Sequence, residues 1–312
     1  MRIAHLSDLH LLCLDGAVPW RLFNKRLTGY ANLRLRRGAI HRPGLLRAAA
    51  AAVRRHAVDH VVVTGDLTNL ALEVEFQRVH ELLAEELGVP SSALSVVPGN
   101  HDVYTRGAYV GRRFERYFAA CMTSDLPALA VADGRGFPFV RLRGPLALIG
   151  LSSALPRVPF VAAGAIGEAQ ARALEAVLRH PEVRSRTPVL LQHHPWHGRA
   201  GVLRQLLEGL RDRHREARAL SDVASGLLLH GHLHRRVQRY LATPAGGLDA
   251  YGATSASLAH ADAARRSGFN LYVFDAAGGL VAARSFVAAA ACDDAALGDG
   301  AVAFEETALP RA

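Results

Sequence analysis

Residues 94–102 read LSVVPGNHD, an apolar run at Leu94–Val97 that stops abruptly at Pro98-Gly99-Asn100-His101-Asp102. A short apolar, β-branched run bounded by turn residues reads as a buried strand, so the polar cluster lies at the strand's carboxyl end. The same arrangement occurs four more times. Arg2–Leu6 leads into Ser7-Asp8-Leu9-His10, and Val58–Thr64 into Gly65-Asp66. Pro188–Gln192 leads into His193-His194-Pro195, and Gly226–Leu229 into His230-Gly231-His232-Leu233-His234. Leu146–Leu151 is a sixth apolar run. Pro43–His56, Leu70–Leu87, Gly107–Cys121, Gly167–Arg179 and Ala200–Arg215 are predicted as helices between them. This alternation argues for an α/β sheet architecture. In open α/β sheets the crevice beyond the carboxyl ends of the strands receives the ligand, so five polar clusters can converge on one site.

After about residue 235 the pattern changes to strands alone, at Arg236–Leu241, Leu248–Ala253, Phe269–Phe274 and Leu280–Val287, which predicts a second sheet or a sheet edge. The last twenty residues are acidic and rich in alanine and glycine, which predicts a frayed tail. Half of the 312 residues are hydrophobic and 21% are charged, which excludes a disordered chain and a low-complexity fibre. No uninterrupted apolar run approaches the roughly 18 residues of a membrane span. Cys13, Cys121 and Cys292 are odd in number and far apart, as expected of free thiols in a reducing compartment, so the protein reads as cytoplasmic.

The net charge of +9 is unevenly placed. No acidic residue lies between Asp15 and Asp59, whereas ten basic ones do, among them Arg21, Lys25, Arg26, Arg34, Arg36 and Arg37. Without those ten the chain has 27 basic against 28 acidic residues and is almost neutral, so its charge alone does not mark a nucleic-acid binder. Trp20, Phe23, Leu27 and Tyr30 share one helical face over 19–30, apart from Arg21, Lys25 and Arg26. A basic amphipathic helix on an anionic membrane surface is one reading of that segment. An insertion packed on the domain with solvated arginines is another, and a substrate cap is a third, because the segment leaves the sheet just after Asp8 and His10.

Asp, Asn and His gathered at one crevice have the chemistry of metal ligands. Asp8 and His10 are two residues apart, as are His232 and His234, and in an extended segment that spacing points both side chains one way, so each pair could grip one centre. Gly65, Gly99 and Gly231 each precede a candidate ligand, where a missing side chain lets the backbone turn sharply into the site. Nine other histidines, His41 among them, are given no metal role.

In this order, D-x-H, GD, GNHD, H and GHxH resemble the signature of the calcineurin-like metallophosphoesterase superfamily, spanning Asp8 to His234 with no motif residue missing. The resemblance implies an α/β fold, a four-layer α/β/β/α sandwich with two mixed sheets. Together with the charge pattern it gives a metallophosphoesterase domain over 1–290, with a basic insertion at about 16–41, followed by an acidic tail at 291–312. It also implies a dinuclear centre, with Asp8, His10 and His234 on the first metal, Asn100, His193 and His232 on the second, and Asp66 bridging. His193 is preferred to His194 because the family's ligand is usually the first histidine of that motif. A donor set of carboxylate, amide oxygen and imidazole suits Mn²⁺, Fe²⁺ or Zn²⁺ better than Mg²⁺ or Ca²⁺.

The resemblance further implies hydrolysis of a P–O bond by a hydroxide bridging the two metals. His101 would protonate the leaving oxygen, with Asp102 orienting its imidazole. The GNHD form and the compact length resemble bacterial class III cyclic-nucleotide phosphodiesterases, so a small-molecule phosphodiester is the expected substrate. A peripheral-membrane pyrophosphatase of the UDP-2,3-diacylglucosamine type, at the inner face of the membrane, is the alternative within the same chemistry. A non-catalytic scaffold of the same fold is the other alternative, and the full ligand set opposes it.

Overall fold

The computed structural model describes residues 1–16, 18, 26, 41–197, 201–289 and 302–309. The proposed amphipathic face of Trp20, Phe23, Leu27 and Tyr30 lies outside the described residues, as does Cys292. The strands are β1 (Arg2–Leu6), β2 (His60–Thr64), β3 (Leu94–Val97), β4 (Phe139–Arg143), β5 (Leu146–Gly150) and β6 (Thr187–Leu191). They continue with β7 (Leu227–His230), β8 (Val237–Thr243), β9 (Gly246–Gly252), β10 (Gly268–Phe274), β11 (Leu280–Ala288) and β12 (Phe304–Thr307).

Two six-stranded mixed sheets result, in the orders β12-β11-β10-β1-β2-β3 and β4-β5-β6-β7-β9-β8. In the first, β1, β2 and β3 run parallel, and β10 joins the other side of β1 antiparallel. In the second, β5, β6, β7 and β9 run parallel between antiparallel edge strands β4 and β8. The four late strands, expected to make a second sheet or a sheet edge, are divided, β8 and β9 lying at the edge of the second sheet and β10 and β11 beside β1 in the first.

Strand alternation builds the layers. Leu146, Leu148, Val189, Leu191, Leu227 and Leu229 join the core shared with the first sheet, while Ala147, Ile149, Leu190 and Leu228 turn to a separate core on the opposite face. Helices α1 (Pro43–Arg55) and α2 (Glu73–Leu87) contribute Leu46, Val53, Phe76 and Val79 to the first core. Each such buried side chain contributes about 1.5–3 kcal/mol. The expected helix at Gly107–Cys121 breaks at Arg112, whose φ is +49°, into α3 (Arg106–Val110) and α4 (Arg113–Phe118). On the second sheet, α5 (Gly167–Arg179) supplies Leu174 and Val177, and α6 (Pro181–Arg184) supplies Val183. The expected helix over Ala200–Arg215 is broken at Gly209, giving α7 (Val202–Glu208) and α8 (Arg213–Ala219).

Two strands were not legible in the sequence. In β4, arginines at 141 and 143 disguise the pattern. Arg141 is nevertheless fully buried, because the carbonyls of Thr123, Ser91, Ser92, Leu94 and Ala120 and the Thr123 hydroxyl accept from its guanidinium. The second is β12, inside the segment expected to fray. It pairs antiparallel with β11, Phe304 packs 5.9 Å from Phe269, and Val302 and Leu309 are buried. Those three apolar side chains and the unpaired edge of β11 explain why 302–309 returns to the domain. Among the described residues no helix is long and apolar enough to cross a membrane.

Candidate metal centre

The carboxyl ends of β1, β2, β3, β6 and β7 gather at one side of the molecule, and all seven expected ligands meet there. The strands stop at Leu6, Thr64 and His230, and the ligands follow in tight turns rather than in extended backbone. Asp8, His10, Asp66, His232 and His234 all have left-handed φ, between +46° and +70°. This corrects the expectation that each D-x-H or H-x-H pair points one way from an extended segment. Non-glycine residues in this region cost on the order of 1–3 kcal/mol each, a cost borne at functional sites when the surroundings over-determine the geometry.

The side chains fall into two overlapping groups. Around Asp8, the Oδ1 atom lies 3.1 Å from His234 Nε2 and 3.8 Å from His10 Nε2, and those two nitrogens are 3.0 Å apart. Around His193, the Nε2 atom lies 3.2 Å from Asn100 Oδ1 and 3.2 Å from His232 Nδ1. Asp66 Oδ2 stands between the groups, 3.7 Å from His10 Nε2 and 3.3 Å from His193 Nε2. His232 and His234 are therefore split between two centres rather than gripping one. Ring nitrogens aimed at one another and at carboxylate oxygens form a donor set that a cation satisfies. The residues present thus fit the expected pair of divalent ions.

The surrounding hydrogen bonds set the ligand orientations. His193 Nδ1 is 2.8 Å from the Thr64 carbonyl, which makes Nδ1 the donor and turns Nε2 toward Asp66 and Asn100. His194 lies beside the donor set, with one nitrogen within 4.8 Å of His193 and His232, but Ser153 Oγ at 2.8 Å from Nδ1 and the Ala162 carbonyl at 2.8 Å from Nε2 engage both its nitrogens. The backbone N–H of His101 donates to Asp66 Oδ1 at 2.7 Å, and that of His232 donates to Asp8 Oδ2 at 3.0 Å. Asn69 Nδ2 donates to the His10 carbonyl.

Burial opposes the charge on Asp66, but His193 and His101 beside it hold its carboxyl well below the usual carboxylate range. Burial also opposes protonation of His193, yet the Asp66 charge raises it to about 9. His232 is driven well below its ordinary value, first by burial and then by His194 and His193, which keeps it in the neutral form a ligand needs.

Of the three glycines, only Gly65 has a positive φ, +88°. Gly99 and Gly231 are required for space instead. A Cβ on Gly99 would lie 2.2 Å from Asp66 Oδ1, and one on Gly231 would lie 2.4 Å from Asp8 Oδ2.

Asp102 does not orient His101. Its buried carboxylate accepts from the backbone N–H groups of Gly99, Leu67 and Thr68 and from the Thr68 hydroxyl, at 2.9–3.2 Å, tying the GD loop to the GNHD loop. The imidazole of His101 is held by the Asn69 carbonyl, 2.8 Å from Nδ1, and stacks on Tyr104. The expected role of Asp102, serving catalysis by orienting the His101 imidazole, is therefore replaced by that of tying the two loops together.

The centre opens into a cleft of about 150 Å³, lined also by Ala162, Glu208 and Arg265. A larger cavity, about 540 Å³, lies at the opposite end of β6 around Thr187 and Pro188 and holds no metal-ligating cluster. Sequence reasoning missed Glu208 and Arg265, which no motif marks, and it gave His41 no metal role. The ring of His41 lies 4.5 Å from that of His10. His5, also given no metal role, is a satisfied core histidine, bonded to Thr64 Oγ1 and Tyr272 OH.

The sequence pattern of calcineurin-like phosphoesterases matches residues 1–236. The chain belongs to that family. A dimetal phosphatase from Danio rerio superimposes with a TM-score of 0.56 at 16% identity, covering 92% of this chain and 94% of that one. A purple acid phosphatase from yellow lupin (Lupinus luteus) gives 0.56 at 13% identity, covering all of this chain and 54% of the lupin protein. At these identities the likeness is one of fold. No curated protein matches in sequence. As a member of this family the chain is a metal-dependent phosphoester hydrolase built around a dinuclear site.

Proposed function

We propose that the protein is a phosphodiesterase that cleaves a P–O bond in a small-molecule diester, with Mn²⁺, Fe²⁺ or Zn²⁺ as its ions. The observation that carries this reading is the charge of the cleft. Among the described residues only one arginine, Arg265, lines it, and the Glu208 carboxylate also does, which suits a monoanionic diester better than a dianionic monoester. Two divalent ions held by the seven ligands supply Lewis-acid activation of the phosphoryl group and of water. The rest falls to the chain. Asp66 spans both groups with one oxygen, and the His101 N–H holds its other oxygen in place. With Nδ1 anchored on the Asn69 carbonyl, His101 exchanges a proton through Nε2, giving it to the leaving oxygen as the P–O bond breaks.

The test compares bis-p-nitrophenyl phosphate with p-nitrophenyl phosphate on metal-reconstituted protein. The diester is expected to have the higher kcat/KM, to lose turnover on chelation and to regain it with Mn²⁺. Preference for the monoester, or full activity in Asp66→Ala, refutes the reading. Cys13 and Cys121 are free thiols, which supports a cytoplasmic enzyme.

One observation favours a second reading, a peripheral-membrane pyrophosphatase acting on a lipid-linked diphosphate. A mostly apolar groove of about 780 Å³ is lined by Tyr104, Val110, Val158 and Pro159 together with Arg106, Arg113 and Arg157. Tyr104 stacks on His101, so the groove begins at the catalytic histidine. Val158 and Phe160 are 67% and 92% exposed beside it. Co-sedimentation with anionic vesicles at low salt supports this reading, and failure to bind them argues for the soluble substrate.

A further inference from the structure

The geometry points to His41 as an additional protein ligand of the first metal ion, the one served by Asp8, His10 and His234. This rests on the dinuclear reading and adds to it a residue outside the sequence motifs.

His41 is carried to the centre by backbone pairing, not by a motif. It forms an isolated bridge with Leu258, and the next residue donates from Arg42 N to the Ser257 carbonyl at 2.8 Å. Pro43 then starts α1, which fixes the direction in which the chain leaves. The His41 ring is anchored as ligand histidines are, with Nδ1 2.9 Å from Ser257 Oγ. A proton donated from Nδ1 to that hydroxyl puts the lone pair on Nε2.

Ring spacing provides the quantitative argument. A metal–nitrogen distance of about 2.1 Å places an imidazole centroid about 3.2 Å from the ion. Two such rings at angles of about 90–120° around one ion then have centroids about 4.5–5.5 Å apart. The observed spacings are 4.5 Å for His10 and His41, 4.9 Å for His10 and His234, and 5.6 Å for His41 and His234. One nitrogen from each of the three lies within 4.8 Å of the other two. Spacing to a single ring does not decide the matter, since His101 is also 4.9 Å from His10. His41 meets both imidazoles of the first centre at once; His194 likewise meets both of the second, 5.0 Å from His193 and 4.6 Å from His232, but Ser153 Oγ and the Ala162 carbonyl hold both nitrogens of His194.

The consequence is an unequal pair of sites. The second centre draws on Asp66, Asn100, His193 and His232, whereas the first gains a third imidazole beside its two carboxylates. A nitrogen-richer set favours Zn²⁺ or Fe²⁺ over Mn²⁺, so the first site is the tighter and the more selective one.

Equilibrium dialysis against Zn²⁺ and Mn²⁺, with metal counted by mass spectrometry, tests the assignment. The unaltered protein is expected to bind two ions. In His41→Ala one class of site should weaken by roughly ten- to a hundredfold or more while the other is unchanged, and the Zn²⁺ preference of the weakened site should shrink. Pulsed EPR of the unaltered protein with one equivalent of Cu²⁺ counts coupled imidazole nitrogens without any substitution, and three rings are expected. Two tight sites of unchanged affinity in His41→Ala, or the same number of coupled rings in His41→Ala as in the unaltered protein, overturn the role of His41 while leaving the dinuclear site standing. Failure of the unaltered protein to bind any divalent ion removes both.

Discussion

Gly231→Ala should disable the first metal site without unfolding the protein. The residue is not in the left-handed region, so alanine meets no backbone penalty there and the effect is one of space. The added Cβ would lie 1.9 Å from Ser7 Oγ and 2.4 Å from Asp8 Oδ2, against an ordinary contact of 3.4 Å or more. The Asp8 carboxylate must therefore retreat by about 1 Å. That movement takes Oδ2 out of its 3.0 Å hydrogen bond with the His232 N–H and moves Oδ1 away from His234 Nε2, now at 3.1 Å. Overpacking of this kind costs about 1–3 kcal/mol, a fraction of the roughly 5–15 kcal/mol that holds a domain together. A displacement of about 1 Å in a catalytic constellation can cost about a hundredfold in rate. The assay pairs thermal unfolding with metal titration and with kcat/KM on a diester. Tm should fall by a few degrees, one metal site should weaken and kcat/KM should drop by about two orders of magnitude. Gly107→Ala, at a position with nothing within 4 Å, is the control and should leave activity intact. Two ions bound at unchanged affinity and kcat/KM within twofold of the parent would show that Asp8 is not held by this close approach.

Exchanging the two residues after Asn100 separates catalysis from positioning. His101→Ala should lower kcat by about 10²–10⁴ with little loss of stability, whereas Asp102→Ala strands three buried N–H donors at about 1–3 kcal/mol each and should show first as a lower Tm. Burial, with a smaller push from Asp212, raises the Glu216 carboxyl to about 8, so the folded protein keeps a proton that the unfolded chain releases near its ordinary value of 4.5. Stability should fall as pH rises through that window. Glu216→Gln should flatten the decline without abolishing it, because burial also lifts Glu75 to about 8 and Asp102 to about 7, and an unchanged slope in urea unfolding would refute the account. Arg26 is 4% exposed and donates to the Leu70 and Ala71 carbonyls and to Thr105 Oγ1, so Arg26→Ala should destabilise by a few kcal/mol, against the indifference expected of a solvated arginine.

Arg26 also shows the limit of reading the basic stretch by composition. The count of ten basic residues without an acid is a fact of the sequence, but a count cannot tell a solvated guanidinium from one threaded under the loop at Leu70. The same holds for β4, whose arginine pattern looks polar until five carbonyls and a hydroxyl are assembled around Arg141 from distant segments. It also holds for Asp102, whose neighbour in the chain suggested a partner that its carboxylate does not touch.

By itself, the order of residues determined the alternation of strands and helices and the polar clusters at the strand ends, and the family resemblance picked out of those clusters the seven side chains that meet there. These are properties of short segments: an apolar run selects a buried strand, and a polar cluster that follows at once must lie at its end. The family resemblance, not the spacing of the pairs, implied that His232 and His234 serve different centres, and in the fold His232 stands beside His193 and His234 beside Asp8. Only the tertiary structure decided the left-handed turns that aim the ligands and the approach of His41 along the bridge to Leu258. Those outcomes depend on contacts between segments up to more than two hundred residues apart, and no local pattern encodes such distances.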